Sequence, residues 1–310
     1  MKLATYRQAD RVSFGAVDGE TILDIPQALP EGPATLLAAL QAGPGALRRI
    51  ESALTKGTPR LAQAEVELLA PLPAPPKVIG IAVNYAEHHR EWERGAALPD
   101  DPRRTTTPRP FLMPATAITG PNTEIPWPAY SEQIDYEVEL AVVIGAPAQC
   151  VSPAEVTQFI AGYTIANDIS ARSVTFTDGR SERPKDEFFD WLVGKWADGF
   201  CPIGPVLVTA DEIADPMNLA IELSVNGQTR QSANTSQMIF NVYELVSFAS
   251  HVMTLSPGDL IATGTPSGVA KATGRYLAAG DTITCRIEGI GELTNTLGPR
   301  PEQFYRPCRC

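Results

Sequence analysis

The chain has 310 residues, with 25 Lys and Arg against 36 Asp and Glu, which gives a formal net charge of −11. So acidic a chain is a poor partner for nucleic acid, because phosphate contacts require clustered basic residues. The negative net charge is still compatible with an anionic substrate, since a bound divalent cation can reverse the electrostatic field inside one pocket. Hydrophobic residues at 44% and charged residues at 20% are typical of a soluble globular protein with ample core.

The N-terminal sequence MKLATYRQAD lacks the apolar core of a signal peptide, and no apolar run reaches the length needed to span a membrane. We therefore expect a cytoplasmic protein with no membrane partner. The five cysteines are scattered and odd in number, which suits a reducing compartment. Cys308 and Cys310 offer too few ligands for a zinc site, so we expect them to lie in a frayed tail.

Residues 1–70 predict a small α/β N-terminal domain. Short alternating runs come first, and apolar residues then recur at helical spacing on both sides of Gly43–Pro44. The glycine should end one helix and the proline should begin the next. The run PLPAPP at 71–76 is typical of a stiff linker, so we place the boundary there and assign residues 71–310 to a second, larger domain.

The run Lys77–Val83 has the pattern of a buried strand and leads into NYAEHHRE at residues 84–91. If this segment is helical, His88 and Glu91 are three residues apart and share a face. The carboxylate can then orient the imidazole and favour its uptake of a proton, as a general base requires. The alternative from composition is a solvated, charged helix.

Acidic residues are concentrated around two apolar runs in the middle of the chain. In an extended chain Glu137 and Glu139 point the same way, and Asp168 ends the strand-like run that starts at Tyr163. Three carboxylates in one small space raise each other's pKa unless a cation neutralises them, and oxygen ligands suit a divalent ion. A solvated strand edge is the alternative.

The rest of the chain offers mainly structural signals. Ser152–Glu155 has the form of a helix start, and Gly162 should end that helix. Asn226–Gly227 predicts a two-residue hairpin turn, and residues 241–251 predict an amphipathic helix. Residues 260–268 predict a strand that runs into a glycine-bracketed turn. Its N–H groups and the Thr265 hydroxyl form either a carboxylate cradle or an ordinary β-turn.

Several blocks together resemble the fumarylacetoacetate hydrolase family: NYAEHHRE at 84–91, EVE at 137–139, NDISAR at 167–172, GK at 194–195 and GTPSG at 264–268. The resemblance covers almost the whole chain and is nearest to acylpyruvase or oxaloacetate decarboxylase-like members. It implies a mainly β protein with α elements, of the α+β class. The expected architecture is a rolled β-sandwich catalytic domain after a small α/β N-terminal domain, in a homodimer.

The resemblance also implies roles for individual residues. The metal ligands are expected to be Glu137, Glu139 and Asp168, with Mg²⁺ or Mn²⁺ bound and Ca²⁺ as an alternative. His88 and Glu91 would activate water, and Lys195 would stabilise the developing negative charge. Substrate contacts are expected from Arg172 and Thr265, and from Thr175, which stands where the family usually has Gln. The charged stretch 173–190 fits either substrate recognition or a subunit contact.

These roles predict a metal-dependent hydrolase that cleaves a C–C bond in a 2-oxo acid of the acylpyruvate or fumarylpyruvate type, through a metal-stabilised enolate. Two alternatives use the same site. One is a decarboxylase, or an isomerase or hydratase, of an oxaloacetate-like or hydroxymuconate-like acid. The other is a metal-dependent carboxylic-acid binding protein without catalytic activity, in which Thr175 has altered the catalytic geometry.

Overall fold

The structure is a computed structural model that describes residues 1–54, 60–92, 102–177 and 179–307. Its strands are β1 (Lys2–Gln8), β2 (Arg11–Asp18), β3 (Thr21–Asp24), β4 (Leu61–Ala62), β5 (Glu67–Leu68), β6 (Val78–Ala82), β7 (Arg109–Met113), β8 (Ile118–Thr119), β9 (Glu124–Ile125), β10 (Ile134–Asp135), β11 (Val138–Ile144), β12 (Ile160–Asn167), β13 (Ser170–Ala171), β14 (Cys201–Thr209), β15 (Ala220–Val225), β16 (Gln228–Asn234), β17 (Leu260–Ala262), β18 (Thr282–Ile287) and β19 (Gly291–Leu297). Its helices are α1 (Ile25–Ala28), α2 (Leu36–Gln41), α3 (Pro44–Leu54), α4 (Ala86–Trp92), α5 (Pro102–Thr105), α6 (Asp186–Val193), α7 (Val242–Val252) and α8 (Ala270–Thr273). The tail prediction for Cys308 and Cys310 lies outside the described residues.

Two sheets pack face to face. A 12-stranded sheet has the order β4-β3-β2-β1-β14-β12-β11-β17-β6-β7, with β5 beside β1 and β8 beside β14. A 5-stranded sheet has the order β16-β15-β18-β19-β9, and β10 pairs with β13. Apolar side chains from both sheets share one core, while α2 and α3 contribute to a second core on the other side of the large sheet. The expected α+β class is confirmed.

Strands β11 and β12 lie in the middle of the large sheet, and every residue in both is buried. Along β11, Val138 and Leu140 belong to the core between the sheets, whereas Ala141 and Val143 belong to the core on the helix side. The alternation is the two-residue period of a strand. Glu139 therefore points to the helix side of the sheet.

The N-terminal strands extend the large sheet. β1 pairs antiparallel with β14, with Leu3 opposite Leu207. The two predicted helices are confirmed as α2 and α3, and Gly43 between them has a φ of +80°, which suits glycine. The domain boundary at residues 70 and 71 stays a prediction, although hydrogen bonds of the sheet cross it.

One helix prediction is wrong. Ser152 and Glu155 make the expected contact, but only a 3₁₀ turn, Val156–Phe159, follows them. Gly162 lies inside β12, where a Cβ atom would be 2.0 Å from the carbonyl oxygen of Val208. Close pairing with β14 thus requires glycine at this position and overrides the local helix signal.

The other local predictions are confirmed. The turn Asn226–Gly227 joins β15 to β16, and both residues have positive φ, as a tight hairpin turn requires. Asn241 and Glu244 form a capping box at the start of α7. Within the described residues, no helix combines the length and apolar character that crossing a membrane demands.

Candidate metal centre

The ends of β11 and β12 bring three acidic side chains together. Val138 pairs with Asn167, so Glu137 and Asp168 lie side by side just beyond the paired region, and the backbone N–H of Asp168 donates to the Glu137 carbonyl over 2.9 Å. Carboxylate oxygens of Glu137, Glu139 and Asp168 all lie within 4.8 Å of one another, and all three residues are buried. We call these residues the acidic triad. The triad has the proximity that the strand pattern predicts.

Two basic side chains pair with the triad. The Lys195 ammonium donates to Glu137 over 2.9 Å and to Asp168 over 2.5 Å. The Arg172 guanidinium donates to Asp135 over 2.9 Å and also pairs with Glu137. Glu139 has a different donor, the backbone N–H of Gly264 at 2.7 Å. These contacts fix the direction of each carboxylate.

The triad fits a divalent cation. Asp168 Oδ1 is buried and has no hydrogen-bond partner among the described residues, which is unfavourable for a carboxylate oxygen. Burial, together with the charges of Asp168 and Glu137, raises the pKa of Glu139 well above its usual range. Burial alone would raise the pKa of Glu137 too, but Lys195 and Arg172 lower it to about 2. A cation bound by the three carboxylates would give Asp168 Oδ1 a partner and reduce the repulsion between the negative charges.

Helix α4 contributes the predicted His–Glu pair. His88 is buried, and its Nδ1 atom lies 3.3 Å from Glu91 Oε2. A carboxylate only accepts, so this contact places the proton on Nδ1 and leaves Nε2 as the basic nitrogen. Glu91 also accepts from the backbone N–H of Gly268 at 3.0 Å. The carboxylate thus connects the histidine to the glycine-bracketed turn.

One cavity connects the triad with the other candidate groups. Its polar lining comprises the triad with His88, Lys195 and Thr265, and its aromatic lining comprises Trp92, Phe111 and Trp191. The ring of Trp191 packs edge-on against Phe111 and Trp92, with centroids 5.0 Å and 6.3 Å away. An aromatic wall therefore faces the acidic groups.

The three expected substrate-contact residues differ in position. Thr265 lines the cavity, and its hydroxyl donates to the carbonyl of Val138 and accepts from Gln231, both at 2.9 Å. Arg172 and Thr175 are not among the residues that line this cavity in the described part of the chain. Thr175 donates to the carbonyl of Tyr305 over 2.5 Å and so anchors the C-terminal segment.

Sequence reasoning missed Gln231 and the aromatic wall. The Gln231 amide joins three elements, because it accepts from the Val138 N–H and donates to Thr265 and Pro266. Its strand, QTRQSAN at 228–234, is polar almost throughout, so the sequence does not distinguish Gln231 from its neighbours. The aromatic residues come from three separate segments, so no local spacing could have indicated that they meet.

Comparison with known proteins agrees with this geometry. A family model described as fumarylacetoacetate (FAA) hydrolase C-terminal matches residues 77–298. Oxaloacetate tautomerase FAHD2A, mitochondrial, of Bos taurus is 39% identical over 280 residues, which cover 90% of this chain and 84% of the relative. The crystal structure of maleylpyruvate hydrolase from Sphingobium sp. SYK-6, in complex with manganese(II) and pyruvate, is similar with a TM-score of 0.78 and 31% identity, over 97% of this chain and 100% of that one. Fumarylacetoacetate hydrolase from Exiguobacterium antarcticum gives a TM-score of 0.79 and 34% identity, with the same coverage. The chain belongs to the fumarylacetoacetate hydrolase family.

Proposed function

We propose that this protein is an enzyme that binds Mg²⁺ or Mn²⁺ and converts a small 2-oxo acid through its enolate, with keto–enol tautomerisation of an oxaloacetate-like acid as its reaction. One observation carries the proposal. A buried acidic triad, in which Asp168 Oδ1 has no hydrogen-bond partner within the described chain, lies in the same cavity as His88, a histidine whose Nδ1 is engaged by Glu91. Metal ligands and a candidate base in one cavity are what enolisation of a 2-oxo acid requires.

Three carboxylate oxygens form a hard ligand set, which suits Mg²⁺ or Mn²⁺, with Ca²⁺ as an alternative. The residues that would hold the ion are Glu137, Glu139 and Asp168. When bound, such an ion supplies Lewis-acid stabilisation of negative charge on the substrate oxygens. The similar maleylpyruvate hydrolase structure is a complex with manganese(II) and pyruvate, which supports this choice of metal and of acid.

The side chains in the cavity would each have a separate role in the reaction. His88 Nε2 would remove a proton from C3 of the 2-oxo acid, and its imidazolium would return a proton to the enolate oxygen to give the enol. Glu91 would hold the ring in the required tautomer. The Lys195 ammonium would share the negative charge that develops on the oxygen. The aromatic wall would keep water away from the enolate.

The names of the relatives support tautomerisation as the first candidate reaction. Those that match 90% of this chain at 39% identity carry the name oxaloacetate tautomerase. Hydrolysis of a C–C bond in an acylpyruvate is the second candidate, because the His88–Glu91 pair could equally activate a water molecule. The structural similarity to maleylpyruvate hydrolase supports that candidate. Decarboxylation of an oxaloacetate-like acid and metal-dependent binding without turnover are the other outcomes of the same experiment.

One set of assays separates these reactions. Protein stripped with chelator and reloaded with Mn²⁺ is mixed with oxaloacetate in D₂O, and nuclear magnetic resonance follows deuterium uptake at C3 beside the enol absorbance. Tautomerase activity accelerates both without releasing pyruvate, and chelator abolishes the acceleration. Pyruvate from oxaloacetate indicates decarboxylation instead, and pyruvate from an acylpyruvate indicates hydrolysis. Exchange at the uncatalysed rate, with no product from either acid, would contradict the proposal.

Other parts of the proposal concern assembly and location. We propose a homodimer in the cytoplasm. Substrate contact by Arg172 and Thr175 stays a prediction from the sequence, since neither lines the cavity within the described residues. Light scattering after size-exclusion chromatography measures the mass and tests the dimer. The mitochondrial location in the relatives' names is the alternative that fractionation of the source cells would test.

A further inference from the structure

The cavity needs a partner for a second carboxylate if its substrate is a dicarboxylic 2-oxo acid. The basic groups nearest to the triad are already engaged. Lys195 donates to Glu137 and Asp168, and Arg172 pairs with Asp135 and Glu137. A distal carboxylate therefore requires another cation at the edge of the cavity.

Lys271 places a cation beside the aromatic lining of the cavity. Its ammonium lies 4.2 Å from the centroid of the Trp92 ring, within the range of a cation–π contact. Trp92 lines the cavity, and its ring centroid is 6.4 Å from that of His88. The same aromatic side chain thus contacts the lysine and lies beside the candidate base.

The backbone at Lys271 is held firmly while its ammonium stays available. Asp135 accepts from the backbone N–H groups of Ala270 and Lys271, at 2.6 Å and 3.1 Å. The side chain is exposed, and within the described ranges its ammonium makes no ion pair or hydrogen bond. Arg172 repels this charge, whereas Glu187, Asp135 and Glu137 attract it, and among the described residues none of these carboxylates forms an ion pair with the ammonium. An ammonium beside Trp92 that has no ion pair among the described residues can pair with an anion at the cavity edge.

We propose that Lys271 is a specificity-determining residue that pairs with the second carboxylate of a dicarboxylic 2-oxo acid. This inference rests on the proposed function and adds to it the residue that selects acids with a second carboxylate. Because Lys271 is exposed, water and salt weaken its interaction, and roughly a fivefold contribution to affinity is expected. Monocarboxylic 2-oxo acids of equal length gain nothing from it.

Ligand binding tests this without relying on turnover. Quenching of tryptophan fluorescence gives the Kd of Mn²⁺-loaded protein for two pairs of acids matched in length. The pairs are oxaloacetate with 2-oxobutyrate, and 2-oxoglutarate with 2-oxopentanoate. Wild type should bind the diacid of at least one pair roughly fivefold more tightly. Lys271→Met should abolish that preference and leave the Kd of the monoacid within about twofold, whereas Lys271→Arg should keep it.

Arg275→Met is the matched control, since it removes an equal charge at an exposed position just after α8 and should leave the preference intact. A preference that survives Lys271→Met, or that falls equally in Arg275→Met, would overturn the role of Lys271. Wild type that binds both acids without a preference would overturn it as well. If wild type binds neither acid in the presence of Mn²⁺, the proposed function itself fails, and the two failures are thereby distinguished.

Discussion

Neutralising one member of the acidic triad tests metal binding separately from catalysis. In Asp168→Asn the side chain keeps its shape and an oxygen that can accept from Lys195, but it loses the charge beside the unpartnered Oδ1. Wild type stripped of metal should gain stability on addition of Mn²⁺, because a ligand that binds only the folded state stabilises it by mass action. At a Mn²⁺ concentration of 100 times Kd this gain is about 2.7 kcal/mol.

The gain can be converted into a melting temperature. Unfolding entropy near the transition is roughly 2.1 cal/mol/K per residue, so a chain of 310 residues should melt about 4 °C higher when the triad is loaded. Loss of one ligand charge should weaken Mn²⁺ binding roughly a hundredfold. Mutation of residues that only hydrogen-bond to metal ligands already weakens binding by up to about a hundredfold. At the same Mn²⁺ concentration the variant then gains only about 0.4 kcal/mol, which shifts its melting temperature by less than about 1 °C.

Differential scanning fluorimetry across a Mn²⁺ titration measures the shift, and electron paramagnetic resonance of free Mn²⁺ counts the bound ions. Glu155→Gln is the control, because it removes one acidic charge at an exposed position outside the triad and should behave as wild type. A wild type that shows no Mn²⁺-dependent shift, or an Asp168→Asn variant with the full shift, would refute the assignment of the triad as the metal site.

Three further predictions concern the base, the turn and the N-terminal segment. His88→Ala should lower turnover by about 10²–10⁴-fold, as expected for loss of a general base, with Mn²⁺ binding unchanged; an unchanged rate in the enolisation assay would exclude this role. Gly268→Ala should destabilise the fold by more than about 3 kcal/mol in urea unfolding, since its φ is +104° and its Cβ would lie 2.2 Å from a carbonyl oxygen of β16. Gly274→Ala, at φ +72° with nothing within 4 Å, should cost only about 1 kcal/mol, and equal losses would mean that the clash is relieved elsewhere. Burial alone would raise the pKa of Asp24, but hydrogen bonds from Tyr6 and other donors lower it, so its ionised form stabilises the fold. That contribution is present above its unfolded pKa of about 3.9 and is lost as pH falls through the lower folded value, so the stability deficit of Asp24→Asn should shrink in acid; a deficit that is constant with pH would contradict this.

The shared direction of Glu137 and Glu139 could be predicted because it depends on strand geometry alone, whereas the approach of Asp168 depends on the pairing of β11 with β12. Alternation along β11 puts Glu137 and Glu139 on one side, and the antiparallel register then brings the end of β12 beside them. The hairpin at Asn226 and the capping box of α7 are predictable for the same reason, since each depends on contacts within a few residues. No knowledge of the tertiary fold is needed for the hairpin and the capping box.

Other features depend on contacts between distant segments and left no local signal. The hydroxyl of Thr175 meets a carbonyl 130 residues away, so its place outside the cavity lining could not be read from its neighbours. Ser152 and Glu155 do form a helix-like start, yet pairing of β12 with both β11 and β14 ends that turn at once. In both cases tertiary contacts outweigh a local preference.

The balance of charge at the triad is what would give the site its affinity for a divalent ion. Among the described residues, four buried carboxylates meet there, because Asp135 lies beside the triad, whereas the paired cations Arg172 and Lys195 supply two positive charges. Burial of unpaired charge is unfavourable, so the protein lowers this free energy either by protonating a carboxylate or by binding a cation. The raised pKa of Glu139 is the first response, and one Mg²⁺ or Mn²⁺ would provide the missing charge in full. The same deficit that destabilises the empty triad would therefore drive metal binding, and it explains why basic residues alone do not complete the site.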